Sequence, residues 1–256
     1  MGLLDGKKAL IIGVANDHSI GWGIARALHA AGAELGLTYR QEGRERRVAP
    51  LAERLGAKLL VRFDVRDDAQ IAALMAQACD VFGKLDIIVH TLAGARREDL
   101  SGPYLGVTRE SFLSALDTSA YSLTALVQAA LGLLNPGASI ITLTYHGARQ
   151  VAQNYNVMGV TKAALEASVR ALAADLGPRD IRVNAISAGP IRTLSASGIA
   201  GFRERQRQLV GRAPLGRGAT IEDVGNTAVW LCSAAGGAVT GETIYVDAGL
   251  HHMAES

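Results

Sequence analysis

The chain has 256 residues, of which 49% are hydrophobic, 20% charged and 5% aromatic, with a formal net charge of +2. This excludes a disordered chain, whose signature is low hydrophobicity with high net charge, and argues against a protein dedicated to nucleic acid. Glycine is the outlier at 29 residues, a surplus over the usual ~7% that suits the tight turns of a layered α/β protein.

Short apolar runs alternate with helix-like segments along the chain. Ala9–Ile12 reads as a strand, followed by Gly13, a polar loop and a helical spacing of Ile24, Ala25, Leu28 and Ala31 that Gly32 ends. Leu35–Tyr39 and Lys58–Phe63 read as strands, Ile71–Phe82 as a helix and Asp86–His90 as a fourth strand. Helical periodicity runs through Ser111–Leu134 until Asn135-Pro136-Gly137, and Ser139–Leu143 is the fifth strand. Asn156–Leu176 is helical, Ile181–Ile186 a strand, Glu222–Leu231 a helix and Glu242–Val246 a last strand. Repeated β-α-β units predict a Rossmann-type, doubly wound, mostly parallel sheet with helices on both faces, in a single domain spanning 1–256. Ser187–Arg217 is the irregular stretch, rich in Gly and Arg, and is expected to be a mobile loop. Cys79 and Cys232 read as reduced, buried thiols. With no secretory signal and no apolar run near the ~18 residues of a membrane span, the chain is expected to be cytoplasmic and free of the membrane.

The strand–glycine–helix start suggests a dinucleotide site, because glycines admit a pyrophosphate to the backbone and the helix N-terminus offers free N–H groups. The spacing Gly13, Ser19-Ile20-Gly21, Gly23 is not G-x-G-x-x-G, and alone it is as compatible with a structural turn. The second strand ends Tyr39-Arg40-Gln41 instead of with the acid that holds an NAD ribose. Arg40 either meets a 2′-phosphate, as in NADPH, or is solvated. Asp64-Val65 is placed to hold an adenine edge, unless Asp64 caps a turn.

Tyr155 and Lys162 are seven apart, which on one helix puts them two turns apart on one face, within about 20°. A cation near a phenol favours its ionised form and makes it a better proton donor. Tyr145 ends the fifth strand, aiming a second phenol at the carboxyl edge where such sheets bind ligands.

At these residues the sequence resembles the bacterial enoyl-acyl carrier protein reductases, a divergent branch of the short-chain dehydrogenase/reductase superfamily. The markers span the chain: Gly13…Ser19-Ile20-Gly21, Val89-His90-Thr91, Ser119–Leu123, Tyr155–Gly159, Lys162–Glu166, Arg182–Thr193 and Val246–Gly249. Met158 stands four before Lys162, where ordinary carbonyl reductases carry tyrosine, and the tyrosine sits at seven, the enoyl reductase spacing. The resemblance implies reduction of trans-2-enoyl thioesters on acyl carrier protein by NADH, with NADPH possible, in a homotetramer. It implies that Tyr155 binds the thioester carbonyl, that Lys162 holds the nicotinamide ribose and that Tyr145 positions substrate or supplies a proton. It also implies cofactor contacts at Gly13, Ser19, Ile20, Arg40, Asp64, Val65, Leu92, Ile191, Thr193 and Ser195, and a substrate contact at Ala95. No metal is expected.

The family pattern is broken at Gly94, usually Phe, at Arg96, often Pro, at Gln153, commonly Pro, and at His146, usually Leu or Tyr. Gly94 and Arg96 should loosen the loop beside the substrate and alter acyl-length preference, and His146 reads as a solvated ring. Arg192, Arg203, Arg205, Arg207 and Arg212 form either a solvated face or a docking patch for an acidic carrier protein. A 3-ketoacyl reductase and a non-catalytic dinucleotide-binding protein are the alternatives. The Tyr–Lys spacing opposes the first and the retained Tyr145, Tyr155 and Lys162 the second.

Overall fold

The structure, a computed structural model, describes residues 2–193 and 202–253. Among these, seven strands form a sheet: β1 (Lys8–Ile12), β2 (Glu34–Tyr39), β3 (Leu59–Arg62), β4 (Leu85–His90), β5 (Leu134–Thr144), β6 (Arg182–Ala188) and β7 (Thr243–Val246). Their order is β3-β2-β1-β4-β5-β6-β7, every neighbouring pair parallel. The order reverses between β1 and β4, so the crevice outside their carboxyl ends is where a ligand fits.

Both sheet faces are covered, which is why the strands read as continuous apolar runs. In β1, Leu10 and Ile12 join one core with α3 (Asp68–Phe82), α5 (Ser122–Ala130) and α6 (Val157–Leu176). Ala9 and Ile11 point the other way, into a core with α1 (Ile20–Ala30), α2 (Glu45–Arg54) and α8 (Ile221–Cys232). The side-chain period of two sends alternate residues to opposite layers. The fold is the expected Rossmann-type α/β domain.

Several elements differ from the sequence reading, each for a physical reason. α2 is strongly charged and carries Pro50 inside it, and only Val48 and Ala52 are buried, so apolar periodicity did not reveal it. The Ser111–Leu134 helix is broken into α4 (Arg109–Leu116), a π-helical turn at Asp117–Tyr121 and α5, so a single period cannot describe it. Within the stretch expected to be a mobile loop, β6 runs on to Ala188 and Phe202–Arg212 is a helix, α7, while 194–201, with the Ser195 assignment, lies outside the described residues. Cys232 is buried as expected, but Cys79 is exposed, on the outer side of α3. Burial pushes the Cys232 thiol up to about 12. Among the described residues no helix is long and apolar enough to cross a membrane.

Candidate active site

The β1–α1 turn is built for close approach. Gly13 has φ +104°, and a β-carbon there would stand 2.7 Å from Leu92 Cδ2. A β-carbon on Gly21 would stand 2.8 Å from Thr91 Oγ1. Ser19 caps α1, its Oγ accepting from the Trp22 N–H at 3.4 Å. The free N–H groups and dipole at this helix start favour an anion.

Beside the turn lies an open cleft of about 310 Å³, at the lower end of the ~300–1,000 Å³ of ordinary ligand sites. Gly13, Ser19, Ile20, Arg40, Val65 and Leu92 line one part of it, and Tyr145, Tyr155, Lys162 and Thr193 the other. Asp64, Ile191 and Ala95 are not brought to its wall. Ile191 is buried in the core with α8, and Asp64 is engaged by arginines. Its carboxylate accepts from Arg66 Nη2 at 2.8 Å and pairs with Arg40 Nε at 3.5 Å. The Arg66 hydrogen bond chiefly holds the Asp64 carboxyl at about 2. Arg40 is thus ion-paired at the cleft edge rather than simply solvated.

Tyr155 is not on the Lys162 helix. It precedes α6 in a turn where Asn154 (φ 57°) and Asn156 (φ 42°) take left-handed conformations that Asn tolerates. The shared-face argument therefore fails, although the two side chains do meet in the cleft. The rings of Tyr145 and Tyr155 pack edge to face with centroids 5.0 Å apart. Gly147 lies against both, since a β-carbon there would stand 2.7 Å from Tyr155 Cδ1 and 3.0 Å from Tyr145 Cδ1.

The electrostatics also correct the expectation of an acidified phenol. Burial first, and then Tyr145, push the Tyr155 hydroxyl up, so it stays protonated. Lys162 is buried, and its Nζ donates to the Leu143 carbonyl at 2.7 Å. Burial pulls its ammonium down to about 8, with Glu166 opposing that pull. His90 is fully buried between Thr142 Oγ1 (2.8 Å) and Ser122 Oγ (2.9 Å) and is held neutral, at about 3, by burial and then by Lys162.

A model of the enoyl-(acyl carrier protein) reductase family matches residues 13–251. The chain is 51% identical to enoyl-[acyl-carrier-protein] reductase [NADH] 1 of Rhizobium meliloti, over 98% of this chain and 92% of that protein. The chain belongs to the enoyl-acyl carrier protein reductase family. Among solved structures it is similar to the Bacillus cereus enoyl-acyl carrier protein reductase with NADP+ and indole naphthyridinone, with a TM-score of 0.97, 48% identity and 100% of both chains covered. The NADH enoyl-[acyl-carrier-protein] reductase of Aquifex aeolicus gives a TM-score of 0.96 at 46% identity, again over 100% of both chains.

The loop peculiarities of this reductase take on new meaning in three dimensions. Arg96 does not loosen its loop. It pairs with Asp99 (3.2 Å), Glu98 (3.5 Å) and Glu110 (3.4 Å) and donates to the buried Ser111 hydroxyl. The Gly94 N–H donates to Ser119 Oγ at 2.9 Å, and that hydroxyl donates back to the Gly94 carbonyl at 3.2 Å. Ser119 sits in the π-helical turn, which sequence periodicity hid. A β-carbon on Gly94 would stand 3.2 Å from Thr118 Cγ2 and 3.5 Å from Arg40 Nη1. The space beside Gly94 therefore adjoins the Arg40 guanidinium, which lines the cleft. Gly94→Phe is accordingly expected to raise the KM for reduced cofactor several-fold, a shift of about 1 kcal/mol, with a smaller change for crotonyl-coenzyme A. Steady-state titration of each substrate checks this, and an unchanged cofactor KM would contradict it.

His146 is only partly solvated. Its Nδ1 is buried without a hydrogen-bond partner, and its ring lies 5.8 Å from Tyr245 and 6.1 Å from His251. His146 and His251 border a second recess that Tyr145 also lines, whose apolar wall includes Val151, Ala152, Pro190, Leu209 and Leu250. Sequence spacing offered no signal for this grouping, because its members come from four distant segments.

Proposed function

We propose that the chain reduces the trans-2 double bond of enoyl thioesters carried by acyl carrier protein, using NADH, as the last step of the fatty acid elongation cycle. What carries this reading is the Tyr145–Tyr155 pair beside Lys162 in a cleft continuous with the α1 N-terminus. Bound NADH supplies a hydride that enters at the thioester β-carbon. The α1 start, with Ser19 and Ile20, binds the pyrophosphate. Lys162 binds the nicotinamide ribose and sets positive charge near the developing enolate.

Tyr155 donates a hydrogen bond to the thioester carbonyl and strengthens it as negative charge builds on that oxygen. Its raised hydroxyl suits a donor that must stay protonated. Tyr145, edge-on to that ring, fixes its orientation, and the second recess that Tyr145 lines takes the apolar acyl chain. Met158, where a carbonyl reductase has its tyrosine, is buried and cannot serve as the donor. NADH is favoured over NADPH because Arg40 is already engaged by Asp64, and the Rhizobium meliloti and Aquifex aeolicus relatives are named for NADH.

The remaining assignments rest on surface features. α7 and its flanks carry the arginines that dock the acidic carrier protein. Apolar Leu113, Tyr121 and Val160 are exposed on neighbouring elements, and Trp230 on α8. These two faces support assembly about two axes, as a homotetramer. Two free cysteines fit the reducing cytoplasm.

The test is loss of NADH absorbance with crotonyl-coenzyme A and with acetoacetyl-coenzyme A in parallel. Loss with the enoyl thioester alone is expected. Loss with the ketoacyl thioester alone would replace this reading with carbonyl reduction.

A further inference from the structure

Glu166 is a buried carboxylate without a part in the proposed chemistry. It lies one turn beyond Lys162 on the same face of α6 and is 3% exposed. Its Oε1 accepts from Thr144 Oγ1 at 2.9 Å, and its Oε2 accepts from Arg149 Nε at 2.8 Å. Thr144 is the last residue of β5, immediately before Tyr145, and Arg149 closes the turn that follows it. One carboxylate therefore grips both ends of the segment that presents Tyr145 while sitting a helical turn from the ammonium.

The geometry points to Glu166 as a positioning residue that keeps Lys162 charged for the cofactor ribose and fixes the Tyr145 segment, with Arg149 setting how strongly it acts on Lys162. A carboxylate left buried beside an ammonium stabilises it, and a guanidinium bound to that carboxylate weakens the effect. Among the described residues, titratable groups around this pair include His90 on β4, Tyr145 and Tyr155 at the cleft, His146 in the turn between Tyr145 and Arg149, and Tyr245 on β7. Burial chiefly holds His90 neutral and raises the Tyr155 and Tyr245 hydroxyls, whereas burial brings the titration of Lys162 into the working range. Its ammonium falls away as pH rises through about 8.

The inference rests on the ribose role proposed for Lys162, so the readout is NADH affinity against pH, measured by fluorescence titration without enoyl substrate. In the unaltered protein, affinity is expected to fall as pH rises through about 8. Glu166→Gln removes the supporting negative charge and should move that fall about one pH unit lower. At pH 6 its affinity should return to within about threefold of the unaltered protein, a rescue worth comparing because lost packing would not recover. Arg149→Met, at a half-exposed side chain, removes the competing cation and should move the fall to higher pH. Opposite shifts from the two variants support the inference. Falls at one common pH, with affinity merely lowered throughout, would overturn it. Should Glu166→Gln fail to fold, the upward shift in Arg149→Met decides alone. Absence of enoyl turnover would refute the proposed activity while leaving these binding profiles to judge Glu166.

Discussion

Tyr155→Phe is expected to lower kcat and kcat/KM for crotonyl-coenzyme A together, by about 10²–10³-fold, the usual cost of losing one oxyanion donor. NADH affinity and thermal stability should change little. The variant keeps the ring, and with it the edge-to-face contact with Tyr145 and the packing over Gly147. It removes only the hydroxyl, which burial keeps protonated and therefore able to donate. An equal fall in both parameters is the mark of an interaction made in the transition state and not in the ground state. Steady-state kinetics with an NADH titration alongside check the result. A raised KM at unchanged kcat would assign the hydroxyl to substrate binding instead.

Gly23→Val should be the most damaging single change remote from the chemistry. A β-carbon at Gly23 would stand 2.5 Å from the Ile221 carbonyl oxygen and 2.9 Å from its carbonyl carbon, both backbone atoms that cannot swing aside. From the other side, a β-carbon at Gly225 would stand 2.7 Å from the Gly23 carbonyl oxygen. The α1–α8 crossing is therefore backbone against backbone. Forcing it apart should cost about 3 kcal/mol, a fall in Tm of roughly 6–12 °C for a domain this size. NADH affinity should weaken with it, because α1 is the helix whose start faces the cleft. Gly43→Ala is the control, since nothing lies within 4 Å of a β-carbon there. Thermal unfolding of both variants is the measurement, and an unchanged Tm for Gly23→Val would contradict this packing.

The inner strands were legible because they are buried on two faces and read as short apolar runs, as Ala9–Ile12 and Asp86–His90 do. Helices with one wide buried stripe, such as α3 and α6, were legible for the same reason. α2 and α7 were not, because about half their residues are charged and few apolar ones mark a face. The π-helical turn at Asp117–Tyr121 was invisible since it shifts phase inside an otherwise helical pattern. At the site, the residues that meet in the cleft were readable from motifs, but the geometry joining them was not. Tyr155 was placed on a helix by its spacing to Lys162, and two left-handed asparagines in fact hold it just before that helix. Asp64, Glu166 and Arg96 each draw on a partner distant in sequence, Arg40, Arg149 and Glu110 respectively. Such pairings have no periodic signal.

Where the hydride goes tests the proposed reaction most directly. NADH deuterated at its transferable position should be incubated with a crotonyl thioester and the product examined by mass spectrometry and NMR. One deuterium on the β-carbon of a butyryl thioester is the expected result. Deuterium on the α-carbon, or an unreduced crotonyl thioester with deuterium transferred only to the keto carbon of acetoacetyl-coenzyme A, would contradict it.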